Sequence, residues 1–259
     1  NENNEAVRRY MQIYETTTND YTKAQMDLLA GQVYLRMGLP EQAYARFQDA
    51  VNGYPRSYDS YSALVALVDA GQPVDALARG LVDYYAGQYA IAIDVFERYM
   101  SATPEHDGAP HYYMAMSMLS SDRYADAVAE LDKLINDHPG DRFFAEAYRE
   151  KAYTQWAFLD KPDLGAETLL SFVRLYPEDA AAPGILFEAA RVQERAGWLK
   201  EAADSWGRMI NEYPSAEDSL RGLFLAGISL YREGDSGGAM TIFQRHLLLA
   251  TSPADQSQS

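Results

Sequence analysis

Cysteine is absent from the 259-residue chain. That excludes disulfides, thiolate nucleophiles and cysteine-ligated zinc, and it locates the chain in no particular compartment. Long apolar runs are also missing, since no stretch approaches the roughly 20 residues a membrane-spanning helix needs. Positive charge is scarce. Lys and Arg number 22 against 38 Asp and Glu, giving a formal net charge of −16. A nucleic-acid binder needs a basic footprint to displace counterions from phosphate, so this balance argues against one. It argues equally against adhesion to anionic lipid. No GxxxxGK[ST], GxGxxG or HExxH motif occurs, and no carboxylate pair is marked out by spacing as an acid–base couple. The chain opens on Asn1 with no charged-then-apolar leader, which suggests a processed or trimmed start.

What the chain does have is a folded protein's hydrophobic fraction, 47%, and a repeating phrase. GQVYLRMGLPEQAYARFQDAVNGYP, residues 31–55, places Gly31, Tyr34 and Gly38 before Ala43, Phe47, Ala50 and Pro55. Counted from Ala24, these are positions 8, 11, 15, 20, 24, 27 and 32 of a unit of about 34 residues. GLVDYYAGQYAIAIDVFERYMSATP carries Gly80, Gly87, Ala92, Phe96 and Pro104 in the same register, with Asp83 where an aromatic is expected. The third copy has Ala115, Met118, Ala127, Leu131, Leu134 and Pro139, and the fifth has Ala190, Gly197, Ala202, Trp206, Met209 and Pro214. In the sixth, Gly227, Gly234, Ala239 and Phe243 precede Thr251 in place of proline. The fourth is irregular: Gly165, Leu169, Phe172 and Pro177 fit, but its first helix must slip by one to put Ala152 rather than Tyr153 at the small position. KPDLG is expected to absorb that slip as a lengthened turn.

Ala43 to Ala92 is 49 residues, whereas later steps run 35 to 38. The surplus, SYDSYSALVALVDAG, reads as one inserted helix over 57–71. AVRRYMQIYE reads as a lead-in helix, broken by TTTND.

These small and aromatic positions resemble the tetratricopeptide repeat. The resemblance implies an all-α, right-handed α-solenoid of about six helix pairs plus the inserted and lead-in helices. The lead-in occupies 1–22 and the array 23–250, with repeats near 24–57, 73–106, 108–141, 146–179, 183–216 and 220–253. A disordered tail is expected over 251–259. Positions 8 and 20 are where paired helices touch, and the ring at position 24 is expected to fill space against the next repeat. No cofactor is required to fold such an array.

In that family the first helix of each pair lines a concave groove. Carrying its positions over gives Leu28, Gln32, Leu35 and Arg36, then Leu77, Leu81, Tyr84 and Tyr85, then Tyr112, Met116 and Leu119. Phe158, Phe187, Arg191, Glu194 and Arg195 come next, and finally Arg221, Phe224, Tyr231 and Arg232. Arg36, Tyr84, Tyr85, Tyr112, Phe187, Arg191, Arg195, Tyr231 and Arg232 are the candidate ligand contacts, for a protein or peptide partner. The Lys and Asn pattern that clamps chaperone tails is absent, so those tails are not expected ligands.

DAGQPVDALARGLVDYYAGQYAIAIDVFERYM, with HYYMAMSML and EKAYTQWA, further resembles the helical N-terminal region of bacterial soluble lytic transglycosylases. This implies a non-catalytic scaffold of a periplasmic, peptidoglycan-directed protein whose catalytic domain, with ESG- and GLMQ-type motifs, would lie beyond residue 259. A free-standing adaptor in envelope assembly and a cytoplasmic scaffold are the alternatives. Two phrases suggest chemistry and are discounted. GDSGG at 234–238 matches a serine-protease nucleophile loop but falls at a repeat turn and lacks a β-barrel context. PEHDGAPH, with Glu105, His106, Asp107 and His111, matches no established metal-ligand spacing and reads as a polar turn. His138 and His246 read as structural.

Overall fold

Asn19 ends the lead-in segment and starts the first pair. Its side chain accepts from the backbone N–H of Thr22 at 3.0 Å, satisfying one orphan donor of a helix start. Upstream, the Thr16 hydroxyl donates to the carbonyls of Gln12 and Ile13 at 2.9 and 3.2 Å. Helix α1 (Glu2–Thr16) therefore stops short of residue 22, and α2 (Asp20–Arg36) begins. The computed structural model describes residues 2–250, so the tail expected over 251–259 and Thr251 lie outside the described residues. Among the described residues there are fourteen α-helices, one π-helical turn and no strand. The chain divides into two compact units, 1–130 and 131–259, the division falling inside α8 (Tyr124–Asp137).

Unit 1 continues with α3 (Pro40–Gly53), α4 (Tyr58–Asp69), α5 (Ala76–Tyr85), α6 (Tyr89–Ala102), α7 (Ala109–Leu119) and the first half of α8. Pro40 sits in the first turn of α3, where its missing N–H costs nothing. Between α2 and α3 the chain reverses at Gly38, whose φ of +71° is the left-handed conformation glycine adopts without a Cβ clash. In the third pair Asp122 takes the same conformation, φ +59°. The inserted helix α4 is capped by Ser57 and tied down by Ser60, whose buried hydroxyl donates to the carbonyls of Ala50 and Tyr54 at 2.9 and 2.7 Å.

Packing explains the small and large positions. Phe47 and Phe96 are fully buried, each burial contributing roughly 1.5–3 kcal/mol. Their rings lie on Gly31 and Gly80 of their own pairs, which leave no room for a Cβ. The position-24 ring thus closes its own pair as well as packing on the next helix. Phe47 shares one cluster with Leu28, Ala43, Ala50, Val51, Ala63, Leu64, Leu67 and Val82. Phe96 joins Ala92, Ile93, Met114, Met118 and Ala127 in a second.

Unit 2 holds the rest of α8, then α9 (Phe144–Tyr153), a π-helical turn (Thr154–Phe158), α10 (Pro162–Leu175), α11 (Ala182–Arg195), α12 (Leu199–Glu212), α13 (Ser219–Glu233) and α14 (Ser236–Leu249). Its largest fully buried side chains include Trp206, Phe172, Leu169, Ile185, Leu186, Met209 and Leu223. The slip in the fourth repeat is absorbed by the π turn inside the first helix, and KPDLG is no lengthened turn. Lys161 immediately precedes α10 without a side-chain cap, Pro162 occupies the first turn, and Gly165 packs within the helix against the Ala152 carbonyl. Physically, the π turn is held by Thr154, whose hydroxyl bonds back to the Glu150 carbonyl at 2.7 Å, and by Gln155, whose side-chain oxygen accepts from Thr168 at 2.7 Å.

Candidate functional site

The site builds from that π turn. A one-residue widening of the helix rotates the residues after it, and such turns frequently mark functional positions. Here it turns Trp156 toward α11, where the Arg195 guanidinium lies 4.9 Å from the indole centroid. Tyr153, half-exposed, meets the same indole edge-on at 5.4 Å. Together with Arg149, Leu169, Glu188, Arg191 and Val192 these residues line a cleft of about 220 Å³ within unit 2.

Charge in the cleft runs against the charge of the chain. Three arginines, Arg149, Arg191 and Arg195, face one carboxylate, Glu188. The Arg149 Nε lies 3.0 Å from Glu188. Burial nevertheless pushes the Glu188 carboxyl upward, with Arg149 opposing. Burial also raises Glu150 in the same unit, and repulsion from Glu146 and Glu188 adds to it. Arg191 and Arg195 are both exposed. The floor is apolar and aromatic, the rim cationic. That arrangement can take an acidic side chain or carboxylate beside an apolar or aromatic one.

A second aromatic group lies in unit 1. The rings of Tyr84 and Tyr85 meet at 5.0 Å, and each packs on Tyr113, at 5.3 and 5.9 Å respectively. The hydroxyls of Tyr85 and Tyr113 are 3.1 Å apart. Tyr112 abuts Tyr113 at 5.5 Å, and Arg56 lies over the Tyr85 ring at 5.3 Å.

The other residues expected in the groove scatter among roles. Leu28 is buried in the first core cluster, and Leu77, Leu81 and Leu119 pack against the second. Met116 is buried. Phe187 is 8% exposed, set edge-on against Trp206 at 4.6 Å with Arg221 above it. Arg232 is held by Glu194 at 2.5 Å, and Phe224 lies against Phe243. Gln32, Leu35, Arg36, Phe158 and Tyr231 are exposed. Gly234 is the left-handed end of α13, and Asp235 caps α14 by accepting from Gly238 at 2.8 Å, so GDSGG is a helix–turn–helix junction. His246 is buried beside Phe224.

Sequence reasoning missed Arg149, Tyr153, Trp156 and Tyr113. Trp156 was findable in principle, because the forced one-residue slip between Ala152 and Gly165 marks a helix that cannot keep regular spacing.

A tetratricopeptide-repeat family model matches residues 111–141. Comparison with curated proteins gives no match. Among solved structures, YrrB, a TPR protein with an unusual peptide-binding site, is 11% identical, with a TM-score of 0.46 over 75% of this chain and 95% of that one. PilW, a widely conserved type IV pilus biogenesis factor, is 18% identical, with a TM-score of 0.45 over 90% of this chain and 97% of its own. PilF of Pseudomonas aeruginosa is 15% identical, with a TM-score of 0.45 over 100% of this chain and 98% of that chain.

Proposed function

We propose that the chain is a non-catalytic interaction scaffold whose unit 2 cleft holds an acidic peptide segment carrying an adjacent apolar or aromatic residue. One observation carries this reading: three arginines and an accessible Trp–Tyr pair line a single cleft in a chain of net charge −16. Arg, Trp and Tyr are the side chains that most often dominate interface energetics, and charge complementarity selects the ligand's sign. Envelope placement and a link to peptidoglycan-cleaving enzymes rest on the sequence phrases in 69–100, 111–119 and 150–157 alone.

The test is fluorescence polarisation with two labelled peptides, one Asp/Glu-rich around a central Leu-Phe and the other with Lys for each acid. The acidic peptide is expected to bind, weakening as salt rises. Replacing Arg191 and Arg195 by Ala costs about 2 kcal/mol, roughly thirtyfold in Kd, at unchanged helicity. Equal binding of both peptides, or no effect of the double replacement, would overturn the assignment. An assay for anhydro-sugar release from peptidoglycan is expected to read zero for this chain.

A further inference from the structure

PEHDGAPH joins α6 to α7 within unit 1, and the fold brings its two histidines together. The rings of His106 and His111 lie 5.0 Å apart, edge to face. Each offers a ring nitrogen, the two within 4.8 Å of one another. Nitrogens sharing a tetrahedral zinc-class ion stand ~3.3 Å apart, given metal–nitrogen bonds of about 2.0–2.1 Å, so a small side-chain rotation brings both onto one ion.

Hydrogen bonding sets the tautomers. His111 is 7% exposed, and its Nδ1 lies 2.5 Å from Oε1 of Glu130, which is 2% exposed. A carboxylate accepts, so Nδ1 donates and Nε2 carries the lone pair. For His106, Nδ1 lies 2.8 Å from the Asp107 carbonyl, with the same consequence. A buried carboxylate behind one imidazole is the arrangement that orients metal-ligating histidines and raises their basicity. Sequence spacing alone could not show it, because Glu130 is 19 residues beyond His111.

We propose that His106 and His111 bind one divalent transition-metal ion through Nε2, with Glu130 as the positioning carboxylate for His111. Imidazole ligands select the zinc, nickel and copper class over calcium or magnesium, which require oxygen donors. Binding would pin the α6–α7 turn to α7 and stabilise the folded chain by mass action. This site shares no residue with the peptide cleft in unit 2.

The experiment uses the whole chain, stripped with chelator and titrated calorimetrically with Zn²⁺ and with Ni²⁺, alongside thermal melts. One ion per chain should bind saturably and raise the melting temperature, while Mg²⁺ and Ca²⁺ should not. Because His111 and Glu130 are buried, their variants carry a folding cost, and the decisive variant is His106→Gln at the half-buried turn. It should lose at least about tenfold in affinity with unchanged circular dichroism. Glu130→Gln, where it folds, should lose about 10–100-fold, the range for an outer-sphere carboxylate. Absence of saturable binding, or wild-type affinity in His106→Gln, would overturn the site. A buried structural His111–Glu130 pair without metal predicts the first of these results.

Discussion

The ring of Phe96 occupies the space a side chain at residue 80 would need: a Cβ on Gly80 would stand 2.5 Å from Cε1. Gly227 and Phe243 repeat that distance in unit 2, and Gly31 and Phe47 repeat the clash in the first pair. Gly80→Ala is therefore an overpacking change, expected to cost about 1–3 kcal/mol by urea denaturation. Trimming the ring should relieve it, so Gly80→Ala with Phe96→Leu should cost less than the two changes summed. Strict additivity would show that the contact relaxes without the ring.

Phe187 separates ligand contacts from core. Its near-complete burial against Trp206 makes Phe187→Ala a cavity change, expected to cost about 3–5 kcal/mol. Trp156→Ala should instead leave the urea midpoint nearly unmoved and remove acidic-peptide binding. A Phe187 variant with wild-type stability would return that residue to the ligand surface.

Tyr85 and Tyr113 share a hydroxyl contact at 3.1 Å in the half-buried unit 1 cluster. Tyr85→Phe keeps the ring contacts and deletes that bond together with the hydroxyl's contact with Arg56. Tyr113→Phe removes the shared bond from the other side, the bond itself contributing about 0.5–1.5 kcal/mol. A double variant that costs less than the two single losses summed would mark the shared bond; strict additivity would refute it.

The repeat register was legible because packing imposes it. Gly31, Gly80 and Gly227 are small where a ring lies on them, and Phe47, Phe96 and Phe243 are large for the same reason, so the pattern recurs in the letters. The candidate site was legible only in part. Arg191 and Arg195 come from the groove positions that the repeat resemblance implies, but Trp156 reaches the cleft through a π turn that no 3.6-residue period describes. Asp83 occupies a position where an aromatic is expected because Arg79, four residues earlier on the same helix, lies 3.5 Å from it. Position counting treats each residue alone and cannot register such a pair. His106 and His111 stand together in the sequence, but Glu130 was illegible for a related reason: it meets His111 across helices, 19 residues on, not along one.

Asp27 gives unit 1 a pH dependence of definite sign. It is wholly buried, its Oδ1 accepts from Arg46 at 3.0 Å, and its Oδ2 has no hydrogen-bond partner. Burial pushes its carboxyl up to about 7, against the pull of Arg46 and, more weakly, Lys23, with repulsion from Asp49 adding to the rise. The unfolded value is about 3.9, so between about pH 4 and 7 the folded chain keeps a proton that the unfolded chain has released. Stability should therefore be greatest at the acid end of that window and fall as pH rises through it, levelling above 7. The drop is on the order of 4 kcal/mol, at 1.36 kcal/mol per pKa unit over roughly three units. Asp83, also raised by burial with Arg79 opposing, contributes a slope of the same sign. Urea midpoints measured every half unit from pH 4 to 8 isolate the Asp27 part as the difference between wild type and Asp27→Asn. A variant slope identical to wild type would show that Arg46 holds Asp27 ionised throughout, whereas a flatter one that flattens again with Asp83→Asn places the protons on these two buried carboxyls.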